Sequence, residues 1–123
     1  MNILLVAIGG ACGSVLRYLA SRYANVNWIL FDLPIGTILV NVVGCFLIGF
    51  LSVFLATPEK DNYRILLIVG LLGGFTTFSA FGIETYQLLQ SGKSFTALLN
   101  ITISIVLGLA AVTMGYLLSK RIF

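Results

Sequence analysis

The chain is poor in charge, has no histidine, and contains only two prolines and two cysteines. Charged residues make up 9% of it, where a soluble domain carries roughly 25%. That shortage leaves too few charges to cover a water-facing surface and excludes a soluble domain. The cysteines, Cys12 and Cys45, are far apart in apolar runs without CxxC spacing. They read as small packing residues in lipid-embedded helices, and not as a metal or disulfide pair. A general base, a nucleophile and a catalytic metal cluster are all missing, so an enzyme is not expected. The net charge of +3 is too small and scattered for a nucleic-acid surface.

What the sequence does contain is hydrophobic: 59% of residues, with a mean hydropathy of +1.10. Crossing a bilayer core takes about 20 residues at about 1.5 Å each. Four segments meet this: Met1 to about Ala20, Ile35 to Ala56, Ile65 to about Leu89, and Phe95 to Ser119. Pro34 and Pro58 flank the second, where helices start and stop easily. The apolar runs lack the alternation of an outer-membrane barrel. The expected fold is therefore an all-α membrane protein, with residues 1–123 as one four-helix transmembrane domain surrounded by lipid. The first segment is apolar from Ile3 without a preceding positive charge, and reads as a retained helix and not as a signal peptide.

Four spans put both termini and the middle connection on one side. That side holds Lys60, Arg64, Lys120 and Arg121, and the other holds Arg17, Arg22 and Lys93. Orientation follows the Lys/Arg bias between sides. A bias this slight leaves both orientations open and makes an antiparallel homodimer a natural expectation. No internal repeat is present, so any inverted symmetry has to come from two chains.

Polar and small residues at membrane depth carry the remaining information. Gly9, Gly10, Gly13 and Ser14 repeat a four-residue spacing that lets helix backbones approach closely in lipid. Arg17 either snorkels to the interface or lines an aqueous vestibule. Thr37, Asn41, Gly44 and Ile48 share a helix face. The Asn41 carboxamide needs a partner, either another helix or an anion accepting from its NH₂. Asn100, Ser104, Gly108, Ala111 and Gly115 form a small, partly polar stripe, which suits a packing seam or the wall of a narrow path. The third segment carries GGFTTFSAF from Gly73 to Phe81. Gly70, Gly73 and Gly74 each weaken a helix by roughly 1 kcal/mol relative to Ala, and Thr76 and Thr77 follow. A helix broken here would bare carbonyls, which survive at this depth only in protein or against a ligand. Such oxygens suit a small cation such as Na⁺. Phe75, Phe78 and Phe81 either pack between helices or turn positive ring edges toward an anion. Glu84 is the only acid within a span, and an intramembrane carboxylate is a functional candidate.

The stretches GGACGSVLRY, GTILVNVVG and GGFTTFSAF, in that order, resemble the small bacterial fluoride channels of the Fluc or CrcB family. The resemblance covers nearly the whole chain. It implies passive export of fluoride across the bacterial inner membrane by an antiparallel, dual-topology homodimer with two pores and a broken third helix. It further implies a structural Na⁺ on the dimer axis, held by the backbone carbonyls of Gly73 and Thr76 from each chain. Asn41, Thr77, Phe78, Phe81 and Ser104 would line the pore, while Arg17 and Glu84 would stand in the vestibule. Ala80 departs from the family, which commonly has a hydroxyl there, and Phe75 falls at a variable position outside the pore. The alternative from another class is a proton-coupled exporter of the small multidrug type, which needs a titratable acid in its path. Only Glu84 is available for that role.

Overall fold

The computed structural model describes all residues 1–123 and is entirely helical. Four helical spans are long and apolar enough to cross a membrane. The first is α1 (Asn2–Asn27) and the second is α2 (Ile35–Phe54). The third span, Pro58–Gln90, is composite. It opens with a 3₁₀ turn, Pro58–Lys60, followed by α3 (Asp61–Arg64), a π-helical stretch (Ile65–Leu72) and α4 (Gly73–Phe75). After a two-residue interruption it resumes as α5 (Phe78–Gln90). The fourth span is α6 (Ser94–Ile122).

The helices run past the hydropathic boundaries read from the sequence. The first reaches Asn27 and not Ala20, and residues 58–64, expected as a connection, are helical. Hydropathy reports the thickness of lipid a segment can face, whereas backbone hydrogen bonding continues wherever a helix has other partners. Neighbouring segments supply the caps that α2 lacks in its own sequence. Asn25 Oδ1 accepts from the Gly36 N–H at 2.8 Å at its start. Lys60 Nζ donates to the Phe54 carbonyl at 2.8 Å at its end and stands 3.9 Å above the Phe54 ring centroid. The C-terminus of α5 closes with Gly92 at φ 76°. There the Lys93 N–H bonds Leu88 O and the Gly92 N–H bonds Leu89 O, the pairing of a Schellman motif.

Two glycine seams hold the bundle together. The more extensive joins α2 to α6, where a side chain at Gly49 would fall on the Val112 carbonyl and one at Gly115 on the Phe46 carbonyl. The other joins α1 to the first half of the third span. A Cβ at Gly9 would strike the Leu66 carbonyl, one at Gly13 the Leu71 carbonyl, and one at Gly74 would come within 2.5 Å of Gly10 O. Small residues permit this backbone-on-backbone contact, which in lipid replaces the hydrophobic drive for helix association. The π-helical turns coincide with this closest approach.

That seam corrects one expectation. Gly70, Gly73 and Gly74 do not break the helix. Gly73 and Gly74 form α4 with Phe75, and Gly70 is buried in the π-helical stretch against Gly9. The interruption comes two residues later, with Thr76 (φ −84°, ψ 159°) and Thr77 (φ −152°, ψ 122°) both extended. β-branched residues favour extended backbone, while Gly70 and Gly74 serve close packing against α1.

Candidate functional site

The interruption redirects two backbone N–H groups. In an unbroken helix the Thr77 N–H would bond the Gly73 carbonyl, but here it donates to Asn41 Oδ1 at 2.8 Å. The Ala80 N–H would bond the Thr76 carbonyl, but it donates to Thr77 Oγ1 at 3.2 Å as the N-cap of α5. Asn41 Nδ2 returns a 2.9 Å bond to the Thr77 carbonyl. The Asn41 carboxamide thus behaves as a second peptide group paired with Thr77. Its NH₂ keeps one further proton. The helical partners of the Gly73 and Thr76 carbonyls are withdrawn, and Thr76 O accepts instead from Arg17 Nη1 at 3.2 Å.

Two cavities meet at this point. One, of about 410 Å³, is mostly apolar. Asn41, Gly44 and Ile48 of α2 line it, with Gly73, Thr76 and Thr77 at the break, Phe78 and Phe81 of α5, and Ser104 of α6. Phe78 and Phe81 lie 5.5 Å apart between ring centroids with planes at 42°. The cavity lacks a wall on one side, and Phe78 is 83% exposed. The structure therefore gathers every residue that the resemblance assigns to the pore onto one surface, together with Gly73 and Thr76. Phe75 is not part of the lining. Asn100, one helical turn before Ser104, faces elsewhere: it is fully buried and donates to Thr85 Oγ1 at 2.9 Å. Of the two polar residues on that stripe, Ser104 alone reaches the cavity.

The second cavity, about 780 Å³, is lined mostly by polar and charged residues. Ser14, Arg17, Ser21, Arg22 and Asn25 of α1 line it opposite Thr37, Ser79, Ala80 and Glu84. Thr77 lies in both linings. Arg17 is half-buried and borders this space, with its guanidinium bonded to the Thr76 carbonyl. Glu84 Oε1 accepts from the Thr37 hydroxyl at 2.8 Å, while Oε2 is buried without a partner. Ala80 contributes no side-chain hydrogen bond and borders the cavity only as a small residue.

Sequence reading missed Ser21, Arg22, Asn25, Thr37 and Ser79 as cavity residues. The signal was present: Ser14, Arg17, Ser21 and Asn25 are spaced by three, four and four, a polar stripe at helical period. Ending the first span near Ala20 hid it.

Residues 4–116 match the family described as CrcB-like protein, Camphor Resistance (CrcB). The chain belongs to the CrcB family. A curated relative from Coxiella burnetii (strain CbuK_Q154), named fluoride-specific ion channel FluC, is 39% identical over 127 residues, covering 99% of this chain and 100% of its own length. Relatives of the same name from Roseiflexus sp. (strain RS-1) and Parabacteroides distasonis (strain ATCC 8503) are 45% and 44% identical. The first covers 94% of each chain, and the second covers 99% of this chain and 95% of its own length. These CrcB relatives are named as channels and not as enzymes. With its four apolar spans, this CrcB member is an integral, multi-pass membrane protein.

Proposed function

We propose that the chain is a fluoride-selective channel of a bacterial inner membrane, through which fluoride leaves the cytoplasm down its gradient and its toxicity is relieved. One observation carries this reading. Phe78, Phe81, Asn41, Thr77 and Ser104 converge on a single cavity at the interruption of the third span, in a family whose curated relatives are named fluoride-specific ion channels. Fluoride holds its water tightly, so a selective path must replace that water with donors while staying narrow. The Thr77 and Ser104 hydroxyls and the remaining Asn41 proton can donate, and the edges of Phe78 and Phe81 are positive. Several weak sites suit conduction, since an ion held too firmly would not leave. Arg17 and Arg22 in the polar cavity raise the local concentration of anions, and the Glu84 carboxylate is engaged by Thr37.

The functional unit in this reading is an antiparallel homodimer with two pores. The near-equal split of Lys and Arg between the two sides supports dual insertion. The open flank of the cavity at Phe78 is the surface a second copy would cover. The Gly73 and Thr76 carbonyls, released by the diverted N–H groups, are hard oxygen donors. Taken from two chains, they fit a shared Na⁺, with the Arg17 guanidinium as a competitor at the Thr76 oxygen. When bound, that ion adds a positive field beside the anion path.

Fluoride efflux from liposomes, with chloride as control and no proton gradient, tests the channel. Fluoride should leave while chloride stays, and Phe78→Ile should stop it. A requirement for protons, or loss on Glu84→Gln with Phe78→Ile still active, would overturn the reading in favour of a coupled transporter. Cysteine labelling should find one position reachable from each side of the membrane; a single orientation removes the antiparallel dimer.

A further inference from the structure

We propose that Asn100 is a positioning residue that, through Thr85, fixes the separation between the Phe81 and Ser104 walls of the apolar cavity. The functional meaning of this rests on the channel reading above. Asn100 is 0% exposed and Thr85 8%. Asn100 Nδ2 donates to Thr85 Oγ1 at 2.9 Å, and the Thr85 hydroxyl donates to the Phe81 carbonyl at 2.7 Å. A hydroxyl has one proton. Because Thr85 gives it to Phe81, its lone pair must take the Asn100 N–H, which sets the direction of the whole relay. This is the only hydrogen bond between α5 and α6. It leaves α6 one turn before Ser104 and ends on the backbone of Phe81.

The residue choice argues for placement over bulk. Asn100 Oδ1 is buried without a partner, a cost that a leucine of similar size would avoid. Moreover, α5 has little packing to locate it: Phe78 and Tyr86 are largely exposed. A directional bond at the second turn of α5 therefore decides where the Phe81 ring stands. Losing it changes the bore without emptying a packed core.

Fluoride efflux from liposomes and the ¹⁹F spectrum of 4-fluorophenylalanine at position 81 test the relay together. Asn100→Leu and Thr85→Val should each slow efflux about tenfold, the scale of one lost buried hydrogen bond. The double variant should be no slower than Thr85→Val, because that change already removes both bonds of the relay. Thr85→Ser keeps the hydroxyl and should behave as the wild type. The position-81 resonance should move alike in Asn100→Leu and Thr85→Val and stay in place in Thr85→Ser. Wild-type rates and resonance in Thr85→Val, or losses that multiply in the double variant, overturn the proposal. If the wild type passes no fluoride, the channel reading fails, and the resonance comparison still decides the relay. If Asn100→Leu does not fold, the Thr85→Val and Thr85→Ser pair decides alone.

Discussion

Residues 61–75 and 78–90 belong to one helical span, yet the protein fastens them in different ways. The first half lies against α1 with backbone touching backbone at Gly9, Gly13, Gly70 and Gly74, and Leu72 is 2% exposed. The second half, α5, is held mainly by side-chain hydrogen bonds: Thr77 to Asn41, Glu84 to Thr37, and Thr85 to Asn100. Close packing fixes an element by excluding volume and tolerates almost no added atoms. Hydrogen bonds fix it by direction and leave surface free. The free surface here is the one that carries Phe78 and Phe81, so the loosely covered half is also the half that presents the candidate pore. In lipid, where apolar contact with a neighbouring helix is barely better than contact with acyl chains, these are the two means available.

The comparison can be broken at either half. The largest effect is expected in the packed half. Gly13→Leu places a side chain on the Leu71 carbonyl and should destabilise the chain by about 3 kcal/mol or more, read as loss of the folded species in detergent. If Gly13→Leu folds normally, the glycine seam does not hold the first half. The next effect lies in the hydrogen-bonded half. Asn41→Leu leaves the Thr77 N–H and carbonyl unpaired and should cost about 2 kcal/mol, measured by thermal unfolding, with fluoride efflux lost. The smallest is Thr77→Ala, which removes the α5 cap at about 1 kcal/mol, with Thr77→Ser close to the wild type. If Thr77→Ala proved costlier than Asn41→Leu, the cap and not the inter-helix pairing would be what holds α5.

Much of the site was legible in advance. An amide at position 41 in a lipid-embedded helix demands a partner, and the glycines at 70, 73 and 74 pointed to an interruption just ahead of where it lies, at Thr76 and Thr77. The partner itself was not legible. Nothing within residues 35–54 says that Asn41 will meet Thr77, 36 positions away. Nor could spacing separate Ser104 from Asn100, which share a stripe one turn apart; the location of Thr85 turns Asn100 away from the cavity. The glycines were legible as small but not in role, because a missing side chain weakens a helix and invites a neighbour equally well.

Hydrophobicity and its period determined by themselves that the chain forms four membrane-crossing helices, since length and polarity along one segment are local quantities. The order of GGACGSVLRY, GTILVNVVG and GGFTTFSAF pointed in advance to the CrcB family. Tertiary structure alone decided that the helix ends at Phe75 and restarts at Phe78, because Asn41 must be at hand to take over the bonds Thr77 gives up. It also decided which polar groups face the cavity, since a hydrogen bond between distant helices depends on where both ends have been placed.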